Sequence, residues 1–314
     1  MGGLSRVFVS RRLPGPALGR LEAEIWPEAG AAPRETLLAR ARECEGLLTM
    51  LTDRVDAELI AAAPALRAIS NYAVGVDNVD LEAATARGIP VGHTPDVLTE
   101  TTADLTLALM LGIARRLVEG DRAVRAGEWR AWEPEFLLGR DLHGSTVGIV
   151  GMGRIGRAVA RRAEGFGCTV LATRALPLGE LLERSDFVTL HVPLTPDTRG
   201  LIGDAALARM KPTAYLVNTA RGPLVDQEAL ARALRFGRIA GAALDVFDPE
   251  PLPPDHPLLE APNLLVLPHV GSATIATREA MAEMAVDNLL AGLAGERVPH
   301  CANPEVYGPT RRAP

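Results

Sequence analysis

The stretch VGIVGMGRIGRAVARRA, residues 147–163, decides the fold of this chain. Four residues typical of a buried strand, Val147–Val150, lead into the pattern Gly151-Met-Gly153-Arg-Ile-Gly156, and a helical pattern follows. Between a strand and a helix, these glycines are typical of a dinucleotide-binding turn. Gly151 permits the tight turn, Gly153 lets a pyrophosphate approach the backbone, and Gly156 lets the helix pack against the strand. The N–H groups that begin the helix favour the pyrophosphate.

Further strands and helices alternate after this stretch. Short apolar runs recur that are typical of the buried strands of a parallel sheet, and helix-like segments lie between most of them. Together with Val147–Val150, these runs give six candidate strands. The other five are Thr169–Ala172, Phe187–His191, Tyr215–Asn218, Gly241–Leu244 and Leu264–Leu267. Six strands at this spacing predict a doubly wound sheet, in which ligands bind where the strand order reverses.

The N-terminal third shows the same alternation on a smaller scale. Its candidate strands are Val7–Ser10, Gly46–Leu51, Ala68–Ser70 and Pro90–Gly92. One long helix is predicted over Thr99–Arg116, and a last helix over about Ile275–Leu293 returns the chain toward its first part. The predicted fold class is therefore α/β, with two Rossmann-like doubly wound parallel-sheet domains, the first of them discontinuous.

Composition narrows the class of protein. The chain has 314 residues, of which 47% are hydrophobic and 23% charged, as in an average globular protein of two domains. A net charge of −6 disfavours a nucleic-acid partner. No apolar run reaches the roughly 18 residues that indicate a membrane partner. The three cysteines form no Cys-x-x-Cys pair, so we expect no disulfide framework and no metal site. We expect a cytoplasmic protein.

The residues after the second strand of the larger sheet bear on which dinucleotide binds. NAD sites usually carry an acidic residue about 20 residues after the glycine turn, where it binds the ribose 2′-hydroxyl. No acid occurs here between Gly165 and Gly179, and Arg174 follows the strand instead. Because an arginine suits a 2′-phosphate, NADP (as NADPH) is favoured. The alternative is that Arg174 is only solvated and that NAD also binds.

Three polar residues far apart in the sequence each follow a predicted strand. They are Arg221, Glu250 and His269. Ligands bind at the carboxyl ends of strands in such sheets, so the three are candidates for one site. Arginine binds a carboxylate and polarises a carbonyl, histidine donates a proton to a developing alkoxide, and a buried glutamate favours the protonated histidine. Reduction of a 2-oxo acid needs this set. The other reading is three unrelated loop residues in surface ion pairs.

The motifs taken together resemble one family. In sequence order they are Tyr72-Ala-Val-Gly-Val-Asp77, Val91-Gly-His-Thr-Pro-Asp-Val-Leu-Thr99, Gly151–Gly156, Asn218–Gly222, Asp245–Pro251 and Pro268–Ser272. From about Val7 to Pro299 the chain resembles the D-2-hydroxyacid dehydrogenases, and most closely their glyoxylate/hydroxypyruvate reductase branch. This resemblance implies NADPH-dependent reduction of a short 2-oxo acid, glyoxylate to glycolate or hydroxypyruvate to D-glycerate.

The resemblance also implies roles for individual residues. Arg221 is the clamp of the substrate carboxylate and carbonyl, His269 is the acid and base, and Glu250 is the partner of the histidine. Further substrate contacts are implied for Leu51, Val74, Gly75, Ser272 and Trp132. Cofactor contacts are implied for Thr102, Gly151, Gly153, Arg154, Ile155, Gly156, Arg174, Pro193, Thr219, Ala220, Asp245 and Gly271.

The segment Gly127-Glu-Trp-Arg-Ala-Trp132-Glu-Pro134 bears on assembly. Two exposed tryptophans are a costly apolar patch on a monomer, and in the family that the chain resembles the equivalent arm crosses to the partner subunit. We therefore expect a homodimer in which Trp132 reaches the neighbouring subunit's substrate pocket. The alternative is that both tryptophans pack in the core.

The resemblance implies a domain division and leaves two alternative functions open. The substrate-binding domain is expected to comprise residues 1–97 and 287–314, and the dinucleotide-binding domain residues 98–286. One alternative is another D-2-hydroxyacid dehydrogenase, of the lactate or phosphoglycerate type. The other is a non-enzymatic dinucleotide-sensing protein, which the presence of Arg221, Glu250 and His269 disfavours. The segment after Arg174 is shorter than in most members of the family, so the preference between NADP and NAD also stays open.

Overall fold

The computed structural model describes residues 7–308, which divide into two compact units. Residues 7–98 and 273–308 form the first unit, and Thr99–Ser272 forms the second. The first unit is therefore discontinuous, as the sequence predicts. No helix among the described residues is long and apolar enough to cross a membrane.

The first unit contains a five-stranded parallel sheet of strand order β2-β1-β3-β4-β5. The strands are β1 (Val7–Val9), β2 (Ala23–Ile25), β3 (Gly46–Thr49), β4 (Ala68–Asn71) and β5 (Val91–Gly92), and the helices between them are α1 (Arg34–Ala41), α2 (Ala57–Ala62) and α3 (Leu81–Ala86). Successive residues of β1 point into two different cores: Phe8 packs in one cluster, and Val7 and Val9 pack in another. Burial on both faces explains why the central strands are apolar throughout.

Strand β2 is absent from the sequence-based expectation. It has three residues, Ala23–Ile25, all of them half-buried, and it pairs only with β1 at the edge of the sheet. A strand this short that carries a glutamate has no apolar run to reveal it.

The second unit contains a six-stranded parallel sheet of order β11-β10-β9-β8-β6-β7. Its helices and strands are α4 (Thr99–Ala114), α5 (Leu117–Arg125), β6 (Thr146–Val150), α6 (Arg154–Gly165), β7 (Thr169–Ala172), α7 (Leu178–Arg184), β8 (Phe187–Leu190), α8 (Asp204–Arg209), β9 (Tyr215–Asn218), α9 (Gln227–Arg235), β10 (Gly241–Leu244) and β11 (Leu264–Val266). All six predicted strands are present, with bounds that differ from the expected ones by at most one residue. Helix α4 ends two residues early because Arg116 adopts a left-handed backbone (φ 53°).

Helix α10, Ile275–Ala294, accounts for the position of the second boundary between the units. The Thr274 hydroxyl accepts a hydrogen bond from the Thr277 N–H at 3.2 Å, and left-handed Gly295 (φ 76°) ends the helix. Its buried face packs with β1 and β3 through Ala282, Ala285, Val286 and Leu289. Because the whole helix packs with the first sheet, the boundary lies before it at residue 273, and the expected boundary at 287 falls inside the helix.

Candidate active site

The glycine turn after β6 has the geometry that a dinucleotide needs. Gly151 has a positive φ of 101°, and a Cβ on Gly156 would lie 2.0 Å from the Gly151 carbonyl oxygen. Helix α6 therefore packs directly on the turn that precedes it, as only glycine permits. Gly153 caps this helix, and a Cβ there would meet nothing within 4 Å, so the backbone is open to an approaching phosphate. These residues fit the pyrophosphate of a dinucleotide.

The turn lies at the point where the strand order reverses, between β6 and β8. A Cβ on Gly151 would lie 2.6 Å from the carbonyl oxygen of His191, which directly follows β8. Desolvation lowers the pKa of His191 to about 3, so this imidazole is neutral at physiological pH. Pro193 is exposed two residues further along the same loop. The loops after β6 and β8 thus meet at the predicted ligand-binding edge of the sheet.

Arg174 lies in the turn that follows β7. Its side chain is exposed and makes no hydrogen bond or ion pair with any residue between 7 and 308. The neighbouring Thr173 ties this turn to the glycine turn, because its hydroxyl accepts a hydrogen bond from the Gly151 N–H at 3.2 Å. Arg154 is exposed and Ile155 half-buried in the first turn of α6.

Glu250 and His269 form a hydrogen-bonded pair. Nδ1 of His269 donates to Oε2 of Glu250 at 2.8 Å, and the backbone N–H of Phe247 donates to Oε1 at 2.8 Å. Desolvation opposes the negative charge of Glu250, but the bond from His269 and the Phe247 N–H outweigh it, so the pKa of Glu250 is lowered. The carboxylate is therefore ionised and fixed against Nδ1, which leaves Nε2 of the imidazole for a substrate.

Asp245 holds the loop that carries His269. Its buried carboxylate accepts hydrogen bonds from the N–H groups of Val270 and Gly271, both at 2.8 Å. His269 itself has a left-handed backbone (φ 55°), which is unfavourable for a histidine and needs such support. Burial raises the pKa of Asp245 in spite of these two bonds. Thr102 of α4 adds a hydrogen bond to the Gly271 carbonyl at 3.2 Å.

Arg221 lies in the loop after β9, the strand next to β10. Asn218 clamps this loop, because its side chain accepts from the Ala220 N–H at 3.0 Å and donates to the Arg221 carbonyl at 2.8 Å. A Cβ on Gly222 would lie 1.9 Å from the Phe247 carbonyl oxygen, so the Arg221 loop packs directly against the loop that carries Glu250. The positive charge of Arg221 also contributes to the lowered pKa of Glu250.

Two supporting residues of this loop system escape the sequence analysis. Buried Gln227, the first residue of α9, donates to the Asp248 carbonyl at 2.6 Å and accepts from the Asp248 N–H at 3.1 Å. Thr106 of α4 lies with its hydroxyl 3.1 Å from that of Thr219. Neither has a sequence signal, since each acts on a residue distant in the chain.

The predicted substrate residues are divided between the two units. Leu51 follows β3, and Val74 and Gly75 follow β4, all at the carboxyl edge of the first sheet. Ser272 is the last residue of the second unit. Trp132 is 79% exposed and Trp129 56%, so neither tryptophan packs in the core of its own chain.

A dinucleotide-binding sheet that carries a histidine–carboxylate pair and an arginine at one edge is typical of a nicotinamide-dependent oxidoreductase. Residues 107–271 match the model of the D-isomer specific 2-hydroxyacid dehydrogenase NAD-binding domain. The chain is 50% identical to a glyoxylate reductase of Korarchaeum cryptofilum over 320 residues, which cover 96% of each protein.

Solved structures agree with these relatives. A protein of Thermus thermophilus superimposes with a TM-score of 0.89 at 54% identity, over 95% of this chain and 99% of that one. An NADPH-dependent glyoxylate/hydroxypyruvate reductase of Sinorhizobium meliloti, solved with NADP and malonate, has a TM-score of 0.85 at 36% identity, over 96% and 98%. The chain therefore belongs to the D-isomer-specific 2-hydroxyacid dehydrogenase family, in its glyoxylate reductase branch. It is an enzyme that uses a nicotinamide dinucleotide and acts on 2-oxo or 2-hydroxy acids.

Proposed function

We propose that this enzyme reduces glyoxylate and hydroxypyruvate with NADPH, yielding glycolate and D-glycerate. The hydrogen bond of 2.8 Å between His269 and Glu250 carries the proposal, because it fixes a proton donor at the ligand-binding edge of the sheet. The names of the Korarchaeum and Sinorhizobium relatives support the substrates.

Each of the three polar residues has one task in the proposed reaction. Arg221 binds the substrate carboxylate and polarises the carbonyl that becomes the alkoxide. His269 donates the proton on Nε2 to that oxygen, and solvent then reprotonates the imidazole. Glu250 holds Nδ1 and stabilises the protonated ring before the transfer. In the reverse direction, neutral His269 removes the hydroxyl proton.

The proposed cofactor contacts follow the edge of the second sheet. When bound, the reduced nicotinamide supplies the hydride that the carbonyl carbon accepts. Gly151, Gly153 and Gly156, with Arg154 and Ile155, would hold the pyrophosphate. Pro193, Thr219, Ala220, Asp245, Gly271 and Thr102 would line the remainder of the site. Leu51, Val74, Gly75 and Ser272 are the proposed substrate contacts beside the three catalytic residues.

The preference for NADPH is proposed from Arg174, which is exposed at the end of β7 without a protein partner among the described residues. Arg174→Ala should lower kcat/KM with NADPH by about 10- to 150-fold, since a hydrogen bond to a charged group contributes about 1.5–3 kcal/mol. Activity with NADH should change little. Arg184→Ala is the matched control, because Arg184 is exposed nearby and pairs with Glu180. Equal losses with both dinucleotides would refute the role of Arg174.

Initial rates on the purified enzyme test the function directly. Glyoxylate and hydroxypyruvate are each offered with NADPH and with NADH. Turnover of both acids with a preference for NADPH is the expected result. Faster turnover of pyruvate or 3-phosphohydroxypyruvate would instead indicate a dehydrogenase of the lactate or phosphoglycerate type. Dinucleotide binding without turnover of any of these acids would favour the sensing protein.

A homodimer is proposed from the exposed apolar side chains of residues 117–138. They include Leu117, Val118, Val124, Trp129, Trp132, Phe136 and Leu138, each at least 44% exposed. So many large apolar groups in one segment indicate an interface. Light scattering after size exclusion should give twice the mass of 33.3 kDa. Trp132→Ser should weaken the dimer, whereas Phe236→Ser, at a site 85% exposed outside this segment, should not. A monomeric wild-type protein would contradict the proposal.

A further inference from the structure

The loop after β4 has three consecutive carbonyl groups that are all bound by the protein. The Ala73 carbonyl accepts from the Thr94 N–H at 2.8 Å. The Val74 carbonyl accepts from Nδ1 of His93 at 2.9 Å, and the Gly75 carbonyl accepts from Nδ2 of Asn71 at 3.1 Å. Two of the three donors are side chains, so the orientation of two peptide groups depends on side-chain chemistry.

Fixing these carbonyls also fixes the N–H groups on the same peptide planes. In a trans peptide the C=O and the following N–H point in opposite directions. The Gly75 N–H therefore points away from His93, and the Val76 N–H points away from Asn71. Neither N–H makes a hydrogen bond to any residue within 7–308, and both residues are half-buried. Adjacent N–H groups with this orientation bind an anion.

Asn71 is held rigidly in its role. It is fully buried, and both amide hydrogens are used, one on Gly75 and one on Oδ1 of Asn78 at 3.0 Å. Its own Oδ1 accepts from the Thr49 hydroxyl and from Nδ2 of Asn78, both at 3.2 Å. Because the amide nitrogen and the amide oxygen of Asn71 are both fully hydrogen-bonded, the amide has one stable orientation.

His93 is fixed through its backbone. Its N–H donates to the His300 carbonyl at 3.0 Å, and its carbonyl accepts from Nδ2 of Asn288 at 2.8 Å. Asn288 is buried on α10, and its Oδ1 accepts from the His300 N–H at 3.0 Å. A Cβ on the preceding Gly92 would lie 2.6 Å from the Asn288 Cβ, so α10 packs directly on the end of β5.

We propose that Asn71 and His93 are positioning residues, which orient the Gly75 and Val76 N–H groups toward the carboxylate of the 2-oxo acid. This inference rests on the proposed function, in which Val74 and Gly75 contact the substrate and Arg221 binds its carboxylate. Both side chains lie behind the loop and do not touch the substrate. They hold the loop after β4 in place, as Asp245 holds the loop that carries His269.

Binding of oxalate, a dicarboxylate analogue of the substrate, tests the proposal. Its dissociation constant is measured by calorimetry in the presence of saturating NADP. His93→Leu and Asn71→Asp should each weaken oxalate about tenfold and raise the KM for glyoxylate to the same extent. His93→Gln keeps a side-chain donor and should recover most of this loss. The dissociation constant of NADP and the kcat should stay within about twofold in all three variants, since the machinery of the second unit is unchanged.

Ser70→Ala is the matched control. Ser70 precedes Asn71 on β4, is equally buried, and donates to the Ala285 carbonyl at 2.8 Å instead of to the loop. This variant should lower the melting temperature without changing oxalate binding. If His93→Leu and Asn71→Asp bind oxalate like the wild type, the proposal is refuted, whichever substrate the enzyme uses. If either variant does not fold, the comparison of the other with Ser70→Ala decides.

The two proposals fail separately. A wild-type enzyme that binds oxalate with NADP but reduces neither glyoxylate nor hydroxypyruvate would contradict the proposed function. The positioning roles would then still be decided by oxalate affinity. A wild-type enzyme that reduces both acids, with unchanged oxalate binding in the variants, would refute only the positioning roles.

Discussion

Replacing Glu250 by glutamine tests the pair on which the proposed chemistry depends. Glutamine keeps the shape of the side chain and an oxygen for the Phe247 N–H, but it removes the negative charge beside His269. The side chains of His269 and Glu250 are 27% and 21% exposed, so solvent screens their attraction only in part. A hydrogen bond to a charged group in this setting contributes about 1.5–3 kcal/mol. The expected loss in kcat/KM for reduction is therefore about 10- to 150-fold.

The pH profile separates this effect from a general disturbance of the site. Glutamine does not titrate, so the Glu250→Gln profile should lack the loss of activity at low pH that follows from protonation of Glu250. Desolvation opposes the negative charge of Glu250, but the hydrogen bond and charge of His269, the Phe247 N–H and the charge of Arg221 together lower its pKa below 4.5. The Glu250 carboxylate should therefore stay ionised above pH 4.5, and the wild type should lose activity as the pH falls through this lower pKa.

The assay is the initial rate of glyoxylate reduction between pH 3.5 and 9, at saturating NADPH. Glu260→Gln is the control, because Glu260 is 81% exposed in the same unit and pairs only weakly with Arg235, at 3.5 Å. It should keep the wild-type rate and profile. A Glu250→Gln enzyme with wild-type kcat/KM and an unmoved profile would refute the reasoning.

Three further predictions follow from local geometry. Gly156→Ala should destabilise the second unit by about 1–3 kcal/mol and abolish dinucleotide binding, because its Cβ would lie 2.0 Å from the Gly151 carbonyl oxygen. A variant that binds NADPH like the wild type in a fluorescence titration would contradict this prediction. Asp56→Ala removes the N-cap of α2 and should cost about 0.5–2 kcal/mol in urea denaturation; an unchanged midpoint would show that the cap is not needed. Burial raises the pKa of the Cys44 thiol to about 12. Iodoacetamide should therefore alkylate half-buried Cys301 before Cys44. Mass spectrometry that shows the reverse order would disprove this prediction.

Features that depend on neighbours in the chain were predictable from the sequence. The strands of the second sheet are continuous apolar runs because both faces of a parallel sheet are buried. Gly151 is required by the positive φ of its own turn, and Gly156 by its contact with that turn. The order of strands then follows from short right-handed crossovers, and it places the segments after β9, β10 and β11 at one edge. The fold class and the candidate residues Arg221, Glu250 and His269 were therefore within reach of sequence reasoning.

Features that depend on distant residues were decided only by the tertiary structure. Nothing near Asp245 in the sequence shows that its carboxylate binds the N–H groups of Val270 and Gly271. Nothing near His93 in the sequence shows that its ring fixes the Val74 carbonyl. The second domain boundary likewise depends on which sheet α10 packs against. A hydrogen bond or a buried face is satisfied by whatever partner folding brings near, and a pattern along the chain records only that a partner is needed.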